Sequence, residues 1–293
     1  MKSVRFFLFV FLLQFLSFSF VFSSPVFGLP NFGNSCYMNA SLQCILQIPE
    51  VAQFIESRER INDNEPFYSL CRSVLNASKK NSGELTAKTL DLFRWTGSRF
   101  FSGSDEQQDA LEFFVKLIDS MPLLRSLFSF SLNVKFTCAG CNAILESVNQ
   151  RMYDIPLDIF PPDLVDDVLC PNCSLSSTKA YKSCKLNSYP PYLLFDCEKM
   201  CGISAFIIMN KLSKISIDKS NYELISVVLH AGSNKEGHYI SCVKEFSTGE
   251  WYLCDDMKIC KLSNLTKEEY DKYCMFSPRI LLYTNKKLQK GVF

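Results

Sequence analysis

Four cysteines constrain this 293-residue chain more than any other feature: Cys138 and Cys141 in "CAGC", Cys170 and Cys173 in "CPNC". A C-x2-C pair bends the backbone into a knuckle that presents two sulfurs to one point. Two such pairs complete the tetrahedral shell of a structural zinc ion, each sulfur about 2.3 Å from the metal. One pair alone would be weak; two in one chain make a single zinc ion the expectation. Two other readings stay open: a pair of disulfides formed in an oxidising compartment, and unligated pairs whose metal was lost. Nine more of the 14 cysteines scatter through apolar stretches without a pairing pattern and read as core thiols.

The remaining one, Cys36, has a different setting. "GLPNFGNSCYMNASLQCIL" (28–46) places it between a glycine-rich turn and an amphipathic run. Asn34 or Ser35 can cap a helix start, Met38, Leu42, Ile45 and Leu46 fall on one helical face, and Pro49 ends the pattern. Cys36 is then expected exposed in the first turn, where unpaired N–H groups and the helix dipole favour an anion. That is the setting of a nucleophilic thiol, although one more buried thiol would fit the same stretch.

A thiol nucleophile needs a base, and the chain has only two histidines, His230 and His238. Both fall in a segment that reads as three strands: residues 222–230, residues 238–243 and "WYLCDD", with "AGSNKEG" and "STGE" as connectors. A hairpin folded at "STGE" brings His238 and Asp255 to opposite or diagonal positions. There Asp255 can orient the imidazole and stabilise its cation. Taken singly, a strand histidine is commonly a packed core residue and "DD" a turn. Upstream, "SDEQQDALEFFVKLIDSM" (104–121) opens with Ser104 and Gln107 at capping-box spacing. Leu111, Phe114, Val115 and Ile118 follow on one helical face, with Asp109, Glu112, Lys116 and Asp119 opposite.

Four blocks, "GLPNFGNSCYMNASLQ", "SDEQQDALEFF", "YELISVVLHAGSNKEGHYISC" and "WYLCDD", closely resemble the signature blocks of the ubiquitin-specific protease family of cysteine deubiquitinases, in the family's order, from Gly28 to Tyr283. The resemblance implies an α+β papain-like cysteine protease with a helical thumb (28–130), short zinc-tipped β fingers (131–190) and an antiparallel β palm. It implies Cys36 as nucleophile, His238 as general base, Asp255 as orienting acid, Asn31 as oxyanion-hole side chain and Asp256 as a second acid. Gln108 and Asp109 match the stretch that faces the bound ubiquitin tail. The implied reaction is hydrolysis of the isopeptide or peptide bond after ubiquitin's C-terminal glycine, without a catalytic cofactor, on ubiquitin and ubiquitinated proteins. The fingers should be short because only 28 residues separate the two cysteine pairs. Two departures stand out: "YPPYLLFDCEKM" (189–200) replaces a His-Leu-Lys-Arg-Phe-like run, and Leu111 stands where histidine is frequent. A protease for another ubiquitin-like modifier and a ubiquitin-binding scaffold with weak activity are the competing functions. A secreted disulfide-rich protein would leave "QQD" and "GHY" unexplained.

The formal net charge of +1 gives no basic footprint, so nucleic acid is not an expected partner. No repeat or low-complexity linker follows residue 28, and one catalytic domain (28–287) with a short tail (288–293) is expected. Residues 1–27 are another matter. "FFLFVFLLQFLSFSFVF" (6–22) follows Lys2 and Arg5 and reads as a signal peptide or short anchor. The positive-inside rule would carry the following domain across the membrane, away from cytosolic ubiquitin. An anchor that leaves the domain in the cytosol, a mis-called start, and delivery to a second ubiquitin-containing compartment each resolve this. A cytoplasm-facing domain with a membrane tether through this segment is the favoured expectation.

Overall fold

The structure is a computed structural model. It describes residues 26–58, 65–76, 82–102, 106–156, 163–173, 175–200, 203–218, 220–233, 236–285 and 287. The apolar segment 6–22, Ser104, Cys201 and the tail from 288 lie outside the described residues. Among the described residues no helix is long and apolar enough to cross a membrane.

Six helices come first: α1 (Cys36–Leu46), α2 (Pro49–Ser57), α3 (Pro66–Asn76), α4 (Ser82–Phe100), α5 (Ala110–Ser120) and α6 (Pro122–Phe128). Pro49 and Pro122 sit in the first turns of α2 and α6, where a missing N–H costs no helical bond. α1 is buried on every side, because it lies between the other helices and the large sheet. Its polar residues are therefore hydrogen-bonded inside the protein. Ser41 Oγ donates to the carbonyls of Tyr37 (2.9 Å) and Ala110 (3.2 Å), and Gln43 Nε2 donates to the carbonyl of Phe27.

Next comes a four-stranded antiparallel sheet in the order β2-β1-β5-β4, from β1 (Phe130–Cys138), β2 (Ile144–Met152), β4 (Asp163–Cys170) and β5 (Leu175–Leu186). Each C-x2-C pair is the turn of one hairpin, and pairing of β1 with β5 brings both turns to the same end.

The large sheet runs β11-β10-β9-β8-β12-β6-β3, with β7 paired to the start of β8. Its strands are β3 (Asp154–Pro156), β6 (Tyr192–Asp196), β7 (Lys214–Ile217), β8 (Ser220–Gly232), β9 (Gly237–Lys244), β10 (Trp251–Asp255), β11 (Lys258–Lys261) and β12 (Ser277–Thr284). All pairings are antiparallel except β3 with β6. α7 (Ala205–Lys211) and α8 (Lys267–Tyr273) interrupt the strand succession. Both faces of the sheet carry core. Val228, Ile280 and Leu282 pack toward the helices, while Val227, Leu229, Leu281 and Tyr283 belong to a second cluster on the far side. A strand buried on both faces reads as a continuous apolar run, which is why "LISVVL" shows no alternation.

The α+β architecture expected from the sequence, with helices, a cysteine-tipped sheet and a larger antiparallel sheet, is the one observed.

Candidate active site

The β8–β9 hairpin delivers His238. Its connector closes with Ser233 N donating to Glu236 O (2.7 Å), and Gly232 has φ +126°. Gly237 has no room for a side chain, since a Cβ there would lie 2.4 Å from His230 Nε2. His230 stacks on Tyr239 with ring centroids 4.3 Å apart, and burial pushes its pKa down. It is a packed strand residue, the common role of a single strand histidine.

β9 pairs with β10 through Cys254↔Ser241 and Leu253↔Cys242, so Asp255 continues opposite Ile240 and lies diagonal to His238. His238 Nε2 is 2.6 Å from Asp255 Oδ1. That leaves Nδ1 for the thiol of Cys36, which is within hydrogen-bonding reach of the ring. The hydrogen bond to Asp255, then that to Cys36, raises the His238 pKa to about 10. The same bond to His238 holds Asp255 below the usual carboxylate range.

Cys36 opens α1 as the spacing predicts, but it is 3% exposed rather than open to solvent. No side chain caps the helix: Ser35 is the N-cap residue, yet its hydroxyl accepts from Phe32 N (2.9 Å), one turn back. The polar side of α1 is covered by the strap 27–30 and the turn after β10. Asn39 Nδ2 donates to Asp256 Oδ1 (2.8 Å) and to the carbonyl of Pro30 (3.1 Å), while Leu29 N donates to Asp256 O (3.0 Å). Gly28 lets this strap pass, because a Cβ there would lie 2.4 Å from Met257 O.

Asn31 sits beside that turn. Its Nδ2 donates to Asp256 Oδ2 (2.9 Å) and its Oδ1 accepts from Ser35 N (3.2 Å). Asp256, with φ +49°, is 4.0 Å from His238 Nε2 while its carboxylate engages Asn31 and Asn39. Asp255 is the closer acid.

α5 begins at Ala110, not near Ser104. Asp109 is its N-cap, accepting from Leu111 N (2.8 Å) and Glu112 N (2.9 Å). Its other partner is Arg279 from β12, whose Nε donates to Asp109 Oδ2 (3.0 Å) and whose guanidinium also pairs with Asp196. Gln108 Nε2 donates to Glu106 O (3.2 Å), and the neighbouring Gln107 reaches the thiol, Nε2 to Sγ 3.9 Å. Asn39 and Arg279 carry no expectation from the sequence, and Gln107 only one as a helix cap. Arg279 left a signal: a lone cation in "RILLYT" must find a carboxylate once that strand is buried. Asp109 and Arg279 line a cleft of about 400 Å³ with Glu198, Tyr239 and Ser277. A more apolar cavity of about 450 Å³ lies between β5, β7 and β12 and contains none of these groups.

At the far end of the smaller sheet, Cys138, Cys141, Cys170 and Cys173 bring their sulfurs within 4.8 Å of one another. The shortest contacts cross between the hairpins, Cys138 to Cys173 and Cys141 to Cys170, each 3.6 Å. Backbone N–H groups of Cys141 and Gly140 lower the Cys138 pKa to about 6. Of the other cysteines described, Cys44, Cys71, Cys197, Cys242 and Cys254 are buried and Cys184, Cys260 and Cys274 half-buried.

A helix-start thiol facing a strand histidine held by a carboxylate, on an α+β scaffold, is the arrangement that papain-like cysteine proteases use. Residues 27–283 match the family model described as ubiquitin carboxyl-terminal hydrolase, and the chain belongs to that family. It is 27% identical over 304 residues to probable ubiquitin carboxyl-terminal hydrolase 8 of Schizosaccharomyces pombe, covering 88% of this chain and 66% of that protein. It is 24% identical over 321 residues to ubiquitin carboxyl-terminal hydrolase 25 of Arabidopsis thaliana, covering 88% and 48%. The chain thus spans from about half to just under two thirds of these relatives' length. Among solved structures, it resembles a chain of the SAGA Ubp8/Sgf11/Sus1/Sgf73 deubiquitinating module bound to monoubiquitin. The TM-score is 0.68 and the identity 17%, covering 98% of this chain and 76% of that one. The same module bound to ubiquitin aldehyde gives a TM-score of 0.66 at 19% identity, covering 91% and 71%.

Proposed function

We propose that residues 28–287 form a thiol-dependent deubiquitinase that hydrolyses the bond after ubiquitin's C-terminal glycine. The observation that carries this is the convergence on one point of Cys36 and the distant β9–β10 hairpin, which brings His238 within hydrogen-bonding reach of the thiol and Asp255 to 2.6 Å from the ring. Family membership supplies the substrate class.

In the first half-reaction the Cys36 thiolate attacks the glycine carbonyl, and the imidazolium of His238 gives its proton to the leaving amine. That breaks the C–N bond and leaves a thioester. A water molecule, deprotonated by His238, then attacks the thioester and releases ubiquitin and the thiol. A His238 pKa near 10 favours the imidazolium needed for the first half. Asn31 has one amide N–H on Asp256 and a second left for the oxyanion, with backbone N–H groups beside it.

The four clustered thiols suit one structural zinc ion. Tetrahedral ligands about 2.3 Å from a metal lie roughly 3.8 Å from each other, close to the 3.6 Å seen between hairpins. Such an ion would tie the two finger turns together and take no part in the reaction.

Cys36→Ala is expected to abolish cleavage of a ubiquitin–fluorophore amide while ubiquitin binding persists. Covalent capture of an electrophilic ubiquitin probe by any other cysteine would refute the assignment. In the same assay Asn31→Ala should lower kcat about 100- to 1,000-fold with little change in KM. A raised KM at normal kcat would make Asn31 a turn residue instead.

A further inference from the structure

Asp255 has two carboxylate oxygens, and only one of them meets His238. The other, Oδ2, accepts a hydrogen bond from the hydroxyl of Tyr273 at 3.0 Å. Tyr273 is the last residue of α8 and is 0% exposed. Its helix is fixed at the opposite end by a reciprocal capping box between Thr266 and Glu269, and Glu269 also pairs with Lys258 of β11 at 2.8 Å. The ring lies between two ammonium groups, Lys272 Nζ at 5.0 Å and Lys258 Nζ at 5.8 Å from its centroid. Phe276 packs against both Tyr273 (6.1 Å) and the His238 ring (6.3 Å, edge-on). A buried phenol pinned this firmly cannot swing away from the carboxylate. A carboxylate held at one oxygen is free to rotate and lose the other bond.

We propose that Tyr273 is a positioning residue for the reaction: its buried hydroxyl fixes the rotation of Asp255 so that Oδ1 stays on His238 Nε2. The inference rests on the protease reading above and extends it. The charged and titratable groups around this unit are few. Asp255 faces His238, Tyr273 and, at 4.0 Å, Lys272; His238 faces Cys36, Asp255 and, at 4.0 Å, Asp256, with His230 on the neighbouring strand. Lys258 also reaches the phenol, and it keeps its ion pair with Glu269 when the oxygen is removed.

The full chain and its Tyr273→Phe variant provide the test, because phenylalanine keeps the ring and its packing. With ubiquitin–fluorophore amide, Tyr273→Phe should lower kcat about tenfold or more at unchanged KM, the scale of one hydrogen bond to a charged group. In an Asp255→Ala background the same substitution should do nothing, since no carboxylate remains to be held. Equal fold-losses in both backgrounds, or no loss in either, would overturn the proposal. A second readout needs no ubiquitin: the pH at which the His238 ring loses its proton, followed by NMR. A loosened Asp255 supports the imidazolium less well, so this midpoint should fall in Tyr273→Phe. An unshifted midpoint overturns the role of Tyr273. A shifted midpoint in a chain that never cleaves the ubiquitin amide would support that role while counting against the protease reading.

Discussion

The helix that carries Cys36 has no exposed residue from Cys36 to Leu46, whereas the second finger strand, Ile144–Met152, has no buried one. Around the helix, apolar contacts with three strands and hydrogen bonds from Asn39, Ser41 and Gln43 leave little of the surface unpartnered. Along the outer finger strand β2 the side chains face solvent, β1 buries only Phe130, Leu132, Val134 and Cys138, and the tip gathers four thiols in place of a core. A two-faced sheet that buries so little cannot offset its conformational entropy through the hydrophobic effect alone. A metal tie at the four thiols, as proposed above, would supply what burial does not. The difference places the candidate site on the more buried part and makes the fingers the part that the proposed metal would hold.

The largest expected effect tests that separation. A zinc chelator under reducing conditions, or Cys173→Ser, should remove one zinc per chain and open strands Phe130–Leu186 to hydrogen exchange. Amides of Cys36–Leu46 should stay protected. Equal loss of protection in both regions would mean that the fingers and the active-site helix unfold as one unit, and unchanged finger exchange would mean that no metal holds them.

Truncation sharpens the contrast at the scale of a single side chain. Leu42→Ala removes a fully buried side chain from α1 and should cost about 2–5 kcal/mol in denaturant unfolding. Ile144→Ala on the fingers, 61% exposed, should stay within about 0.5 kcal/mol. Comparable costs would contradict the account of two differently supported regions.

The smallest effect is a pH dependence confined to the active-site junction. The raised pKa of His238 means that its protonated form favours the folded state. This contribution is full below its ordinary value near 6.5 and lost as pH rises to about 10. The fall in Tm across that window should therefore be shallower in His238→Gln, with finger protection unchanged. An identical slope in the variant would remove His238 as its source.

Much of this was legible because it is local. The "STGE" turn sets the β9–β10 register and so the diagonal placement of His238 and Asp255, and the C-x2-C spacing sets the finger turns. The errors came from long-range partners. Ser104 with Gln107 and Asp109 with Glu112 offer two capping signals a few residues apart. The helix starts at the second, where Asp109 also pairs with Arg279, 170 positions away. The exposure expected for Cys36 failed similarly, because the polar side of its helix is covered by a turn 217 positions downstream of Asn39. Family resemblance marks 189–200 as a departure but gives no reason for Asp196 in place of the usual basic run. Its partner Arg279 lies on the adjacent strand, so the departure makes sense only once β6 and β12 are paired.

The bond from Asn39 to Asp256 also has a meaning in time. The two residues are 217 positions apart, and a ribosome adding about 5–20 residues per second needs roughly 10–45 s to pass from one to the other. Throughout that interval the nascent chain carries its reactive thiol without the imidazole, the carboxylate or the turn that covers the helix. On the proposed mechanism the thiol has no base until the last strands arrive, so the triad assembles only near the end of synthesis. In that period Cys36 is an ordinary thiol, open to any passing oxidant or chaperone.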